Sequence, residues 1–188
     1  MRVGELLIPV VAAIGRELLA GSYIQADETP VPVQMSDARG KNHQAYLWQY
    51  GAPGGNVNFD FRMGRGREGP AKFLAQYEGI LQTDGYAAYG RVGGSRMVHA
   101  ACWSHARRKV FDAVKLSPED RAAQLVARID ELFAVDAARD EGMDHAARHA
   151  LRGERSRPLL EAMKKEMEAA KVTALPASAL GKAVNHTL

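Results

Sequence analysis

Residues 5–19 place Leu6, Leu7, Val10, Val11, Ile14 and Leu18 at helical spacing, which predicts an amphipathic helix closed by Gly21-Ser22. A strand-like run, Tyr23-Ile24-Gln25-Ala26, then leads into Asp27. Thr29 to Gln34 carries Pro30 and Pro32, so it is expected to be extended but not a central strand. Ser36 to Gln44 is polar and contains Gly40, hence a loop. Residues 45–50 read as a second strand and Gly51-Ala52-Pro53-Gly54-Gly55 as a turn. The next stretch alternates strictly, with Asn56, Asn58, Asp60 and Arg62 on one face and Val57, Phe59, Phe61 and Met63 on the other. That pattern predicts a half-exposed antiparallel strand, paired with the second strand as a hairpin. A short helix is expected over about Pro70 to Tyr77, a fourth strand over Ile80 to Asp84, and a brief helical or loop segment from Tyr86 to Gly94. A fifth strand is expected over Met97 to Cys102.

From Ser104 the period becomes helical and stays so. Ala106, Val110, Ala113 and Val114 form an inner face, with Trp103 at its start. Ser117-Pro118-Glu119-Asp120 signals a new helix, since a capping residue is followed by proline and acids in the first turn. Leu125, Val126, Ile129, Leu132 and Phe133 continue it. Further helices are expected around Asp144 to Leu151, around Leu159 to Lys171, and from Ser178 onward.

Three antiparallel strands followed by crossover-linked strands, and then helices alone, is an α/β order. It predicts a ribonuclease-H-like mixed β-sheet with flanking helices and an all-helical region behind it. The expected organisation is a leading helix over 1–20, a core over 21–116 and a helical region over 117–188.

Composition narrows the function classes. The 188 residues are 46% hydrophobic and 25% charged, enough for a sizeable core. The single cysteine, Cys102, excludes an intramolecular disulfide and fits a reducing cytoplasm. The apolar stretch from Leu6 to Leu19 is interrupted by Arg16 and Glu17, so no membrane span is expected. The net charge of +3 is unevenly spread. Between Gly85 and Lys115, Arg91, Arg96, Arg107, Arg108, Lys109 and Lys115 face a single acid, Asp112. A basic stretch of that kind suits a polyanion, or else forms a solvated helix face.

The candidate chemistry lies in two acids. Asp27 and Asp84 each follow a short apolar run and precede a turn. On neighbouring strands of one sheet they would offer a divalent cation hard oxygen ligands, whereas singly each reads as a turn-capping residue. Two other patterns compete. Gly64-Arg65-Gly66-Arg67-Glu68-Gly69 satisfies a dinucleotide fingerprint through Gly64, Gly66 and Gly69. It follows an alternating strand, however, where that fold uses a strand buried on both faces. Cys102-Trp103-Ser104-His105 has the spacing of one pair of zinc ligands, but a structural zinc site needs two such pairs.

Several blocks resemble the insertion sequence 66 family of bacterial transposases. They are Ala26-Asp27-Glu28-Thr29-Pro30-Val31, the run Leu81-Gln82-Thr83-Asp84-Gly85-Tyr86-Ala87-Ala88-Tyr89, the stretch from Cys102-Trp103-Ser104-His105 to Ala113, and Arg155-Ser156-Arg157-Pro158-Leu159-Leu160. The resemblance implies a DD-E transposase with a ribonuclease-H-like core, in which Asp27 and Asp84 are the first two catalytic acids and the metal ligands. It implies Mg²⁺ or Mn²⁺ as cofactor and metal-dependent DNA cleavage and strand transfer by two-metal phosphoryl transfer. It further implies DNA, both transposon ends and target, as partner, with no membrane and a homo-oligomer in the intact family. Arg107, Arg108 and Lys109 would contact phosphates. Cys102 and His105 would mark the strand-to-helix element that precedes a helical insertion over 117–188. The family's third acid, a glutamate in an Asn-rich block, lies beyond the last residue here. The chain is therefore expected to be a truncated core, inactive by itself. A non-catalytic remnant that binds nucleic acid or a partner is the alternative expectation.

Overall fold

The computed structural model describes residues 3–35, 42–116, 120–138 and 142–188. The chain forms two compact units, Met1–Cys102 and Trp103–Leu188. The leading helix lies in the first unit with the sheet.

The first unit opens with α1 (Val3–Ala20) and continues through β1 (Tyr23–Val33), β2 (His43–Gly51), β3 (Val57–Arg62), α2 (Glu68–Leu74), β4 (Ile80–Thr83), a 3₁₀ turn (Ala87–Tyr89) and β5 (Val98–Ala101). The strands make one five-stranded mixed sheet in the order β3-β2-β1-β4-β5. β1 pairs antiparallel with β2, and β2 with β3, while β4 runs parallel to both β1 and β5. The expected loop at residues 36–41 lies outside the described residues.

β1 runs beyond Asp27 and pairs with β2 as far as Val33 opposite His43, so the extended Thr29–Val33 stretch is strand, though not a central one. β4 ends at Thr83, and beyond that level β1 has only β2 beside it. Pro30 and Pro32 are two residues apart, so both turn their missing N–H to the same, unpaired side.

One face of the sheet carries the core. Ile24 and Ala26 of β1, Trp48 and Tyr50 of β2 and Leu81 of β4 are buried there with Leu18, Leu74, Tyr77 and Tyr89. Aromatic contacts organise it: Tyr50 stacks on Phe73 at 4.0 Å and Trp48 meets Tyr89 edge-on at 5.6 Å. α1 contributes only its C-terminal half, through Gly15 and Leu18; Leu6, Leu7, Ile8, Val10 and Val11 are exposed.

The edge strand β3 reverses the expected polarity. Its polar residues Asn58, Asp60 and Arg62 turn to the core side, where Arg62 Nε donates to Asp60 Oδ2 at 2.8 Å. Phe59 and Phe61 stand outward with 55% and 51% of their surface exposed. Register explains this, because Asn58 lies opposite Tyr50 and Asp60 opposite Trp48, and facing residues in an antiparallel pair share a side.

The second unit is helical: α3 (Trp103–Leu116), α4 (Asp120–Ala137), α5 (His145–Leu151), α6 (Arg157–Thr173) and α7 (Ala179–Thr187). Val110, Ala113, Leu125, Ile129, Met163, Met167, Leu180 and Val184 make its core. The helices expected from Asp144 and Ser178 are both capped at those residues, with Asp144 Oδ1 accepting from Ala147 N and Ser178 Oγ from Gly181 N. The start signal at residues 117–119 lies outside the described residues. Between α5 and α6 the helix widens into a π turn over Arg152–Ser156, where Arg157 N–H bonds to Arg152 O. Pro158 lacks an N–H for Glu154 and crowds that carbonyl, which accounts for the wider turn. Among the described residues no helix is long and apolar enough to cross a membrane.

The outward position of Phe59 sets an expected contrast. Phe59→Ser should change unfolding free energy by no more than about 1 kcal/mol. Leu81→Ala, in the core, should cost about 2–5 kcal/mol. Urea unfolding followed by circular dichroism measures both, and a loss above about 2 kcal/mol for Phe59→Ser would mean that this face is covered.

Candidate functional site

The site begins with the parallel pairing of β1 and β4. Tyr23 stands opposite Ile80, Ile24 opposite Leu81 and Gln25 opposite Gln82. Continued by two residues, this register sets Asp27 level with Asp84. Burial alternates along both strands, with Ile24, Ala26 and Glu28 inward on β1 and Leu81 and Thr83 inward on β4. Asp27 is exposed on the outward face of β1, and Asp84, the residue after β4, is half-buried; the alternation of β4 carried one residue further gives Asp84 the same side. One rung earlier on that face, Gln82 Oε1 accepts from Gln25 Nε2 and from Tyr23 Oη, each at 2.8 Å. The two strands are thus tied by side chains as well as backbone just before the acids.

Each aspartate is oriented by a backbone N–H. Glu28 N donates to Asp27 Oδ1 at 2.9 Å, and Tyr86 N donates to Asp84 Oδ1 at 2.7 Å. The second contact is a turn-capping bond, so Asp84 does perform the local role that the sequence allowed. The chain reverses there through Gly85, whose φ of +85° suits glycine, and Gly85 N donates to Thr83 Oγ1 at 3.1 Å. A carboxylate has two oxygens and about four acceptor positions, so one such bond leaves acceptor capacity.

Behind the pair, on the core face, stands Glu28, whose side chain is only 1% exposed. Its Oε1 accepts from Arg65 Nε at 2.9 Å and Nη2 at 2.5 Å, and its Oε2 accepts from Tyr89 Oη at 3.0 Å. Arg65 stacks its guanidinium 3.9 Å from the Tyr86 ring centre, and Tyr86 Oη donates to Arg65 O at 2.9 Å. Burial, aided by the Asp84 charge, pushes the Glu28 carboxyl above its ordinary value, against the downward pull of Arg65 and Tyr89. Burial and the Glu28 charge likewise push the Tyr89 hydroxyl upward. None of Glu28, Arg65, Tyr86 and Tyr89 was singled out from the sequence. The available signal was phase: Glu28 falls in step with Ile24 and Ala26, a charge on the core side of an alternating strand.

The glycine-rich loop is therefore an anchor for Arg65. Its preceding strand, β3, is an antiparallel edge, and α2 behind it has only 7 residues. A dinucleotide fold needs a parallel strand inside the sheet at that point, so Gly64, Gly66 and Gly69 do not make one.

The other predicted residues lie elsewhere. Arg107 on α3 is bound to Asp130 of α4 through Nε and Nη2, at 2.5 and 3.0 Å. Arg108 and Lys109 are exposed. Arg96 is paired with Glu78, so the basic stretch is partly neutralised by local partners. Cys102 is a half-buried free thiol between β5 and α3, and His105 lies in the first turn of α3. Among the described residues no three His, Cys, Asp or Glu side chains converge to hold a metal. Asp27 and Asp84 nonetheless supply hard oxygen donors of the kind Mg²⁺ and Mn²⁺ take, and they fit part of such a site.

The Glu28–Arg65 pair predicts a specific non-additivity. Arg65→Met leaves a buried charge without its main partner and should cost about 2–3 kcal/mol, less than a fully buried pair because Arg65 is 41% exposed. Adding Glu28→Gln should recover most of the loss in urea unfolding. The raised carboxyl also fixes a pH dependence. The folded chain holds the Glu28 proton more tightly than the unfolded chain does. The stabilisation is therefore complete below the ordinary value of 4.5 and is lost as pH rises through the raised one. Thermal midpoints of the unaltered chain and Glu28→Gln, compared across that window, should diverge in that sense.

Comparison with known proteins bears on these residues. Residues 1–188 match the family model described as Transposase IS66 family. Three proteins of Sinorhizobium fredii (strain NBRC 101917 / NGR234) are similar. The uncharacterized protein y4qI is 33% identical over 161 residues, covering 76% of this chain and 29% of the relative. The uncharacterized protein y4jD is 29% identical over 178 residues, covering 87% and 34%, and the uncharacterized protein y4hP is 30% identical over 183 residues, covering 84% and 32%. No solved structure matches the chain. The chain spans about a third of the length of the curated relatives it matches. With the family match running from the first residue to the last, through both aspartates, the chain belongs to the IS66 family of transposases.

Proposed function

We propose that this chain is part of the catalytic domain of a DD-E transposase, built on a ribonuclease-H-like sheet, with Asp27 and Asp84 holding Mg²⁺ or Mn²⁺ for phosphoryl transfer on DNA. The observation that carries the reading is the parallel register of β1 and β4, whose last pair is Gln25 opposite Gln82; carried two residues further it brings Asp27 and Asp84 to one level. Strands run about 4.8 Å apart, a spacing compatible with two carboxylates sharing ions at oxygen distances near 2 Å. The strand order β3-β2-β1-β4-β5, with the first three antiparallel and the last two parallel to β1, supports the fold assignment.

The chain's own contribution is placement. Glu28 N–H and Tyr86 N–H orient the two carboxylates, and the Gln25–Gln82 rung holds their strands in register. Asp27 and Asp84 would hold a divalent cation that would supply Lewis-acid stabilisation of the negative charge on the phosphoryl and leaving oxygens. Arg108 and Lys109, exposed on α3, serve as phosphate contacts that position DNA without reading its sequence. Arg107 belongs to a different class, because its guanidinium is already bonded to Asp130.

Two measurements test this function. Calorimetric titration with Mn²⁺ should show binding that Asp27→Asn and Asp84→Asn each abolish; uptake unchanged in both variants would remove the metal assignment. DNA binding should weaken steeply with salt. Replacing both Arg108 and Lys109 by Ala should flatten the log–log slope by about 2, near 0.9 per phosphate contact. Arg107→Ala should leave the slope almost unchanged.

A further inference from the structure

We propose that Glu28, Arg65 and Tyr86 form a positioning clamp for the two aspartates, so that Arg65 of the glycine-rich loop sets how tightly the pair takes a divalent cation. This role rests on the assignment of Asp27 and Asp84 as the metal-holding pair.

A continuous run of contacts joins the two acids. Asp27 Oδ1 is held by Glu28 N at 2.9 Å. The Glu28 carboxylate is gripped twice by Arg65 and once by Tyr89. The Arg65 guanidinium carbon lies 3.9 Å from the Tyr86 ring centre, and the Arg65 carbonyl accepts from Tyr86 Oη at 2.9 Å. Tyr86 N then holds Asp84 Oδ1 at 2.7 Å. Arg67 Nη2 reaches Ala87 O at 3.4 Å and fastens the same loop to the segment beyond Asp84. Three stretches distant in sequence therefore meet at one guanidinium: the β1 strand at Glu28, the loop after β3, and the turn after β4.

Chemistry favours arginine for this task. Its planar fork can bond one carboxylate twice while its face stacks on an aromatic ring, which a lysine ammonium cannot do. The Glu28 end of the contact is buried while Arg65 is 41% exposed, so the pair is screened less than a surface pair. Residues that hold metal ligands in orientation commonly control affinity although they never touch the ion. A merely structural ion pair would stabilise the unit and leave the metal affinity of the folded chain untouched.

The test compares Mn²⁺ affinity with amide exchange. Both are measured on the full chain at a temperature where circular dichroism shows every variant folded. Arg65→Met should lower Mn²⁺ affinity about tenfold or more. It should also speed hydrogen exchange at the Tyr86 amide, whose bond to Asp84 the clamp preserves. Arg65→Lys should restore little of either. Tyr86→Phe removes only the hydroxyl that holds Arg65 O, and it should lower affinity about threefold to tenfold; it carries the test if Arg65→Met does not fold. Asp84→Asn separates the two levels of inference. If it abolishes Mn²⁺ binding while Arg65→Met, or Tyr86→Phe in its place, binds within twofold of the unaltered chain, the clamp is overturned and the metal pair stands. If Asp84→Asn and the unaltered chain behave alike, the metal pair fails and the clamp with it.

Discussion

A carboxylate with 1% of its side chain exposed is costly to keep charged unless its oxygens are bonded, and Glu28 meets that condition through Arg65 and Tyr89. Much of the sheet unit depends on this one pair. The glycine-rich loop must approach β1 closely enough for Arg65 to reach Glu28. Tyr86 must lie under the guanidinium, which fixes the path after β4. Tyr89 must point its hydroxyl inward, and its ring then completes the edge-on contact with Trp48. One buried charge thereby links the core packing to the turn that presents Asp84.

The sheet's two faces have different characters. The core face is filled by aromatics and aliphatics together with Glu28. The opposite face carries Gln25, Asp27, Gln82 and Asp84 beside the exposed apolar residues Phe59, Phe61, Ile80 and Val98. An antiparallel sheet can leave one face in water, but that face then alternates to polar residues. Here β3 does the reverse, because its partner register fixes which side each residue takes.

Much of this was legible in the sequence because it is a matter of period and of turn residues. The five strands, the hairpin between β2 and β3, and the helices from Asp144 and Ser178 follow from alternation, glycine clusters and helical period. The common level of Asp27 and Asp84 is a register, and register depends on which strands pair; the sequence supplied two acids after two short runs and no pairing. The face taken by Phe59 is not legible in the sequence for the same reason. Alternation separates a strand into two sets without saying which set meets the core. The prolines of β1 exclude a strand flanked on both sides, and where they lie β1 has β2 alone beside it. Arg65 was hidden by its setting, a glycine pattern that suggested phosphate binding, although its partner Glu28 is 37 positions away in the chain.

The period of two along β1 also explains why structure and chemistry can be so closely joined here. Neighbouring residues on a strand point to opposite faces, so Asp27 can face outward while Glu28, the next residue, faces the core. Their connection is the Glu28 amide, which donates to Asp27 Oδ1. Any movement of the buried carboxylate that rotates the Glu28 peptide must therefore move the donor that orients Asp27. The same holds across the turn, where Tyr86 uses its ring and hydroxyl on Arg65 and its amide on Asp84. In both places a residue's side chain is anchored in the protein while its backbone N–H serves the acid. The two N–H groups that orient the acids thus belong to residues whose side chains meet at one guanidinium, that of Arg65.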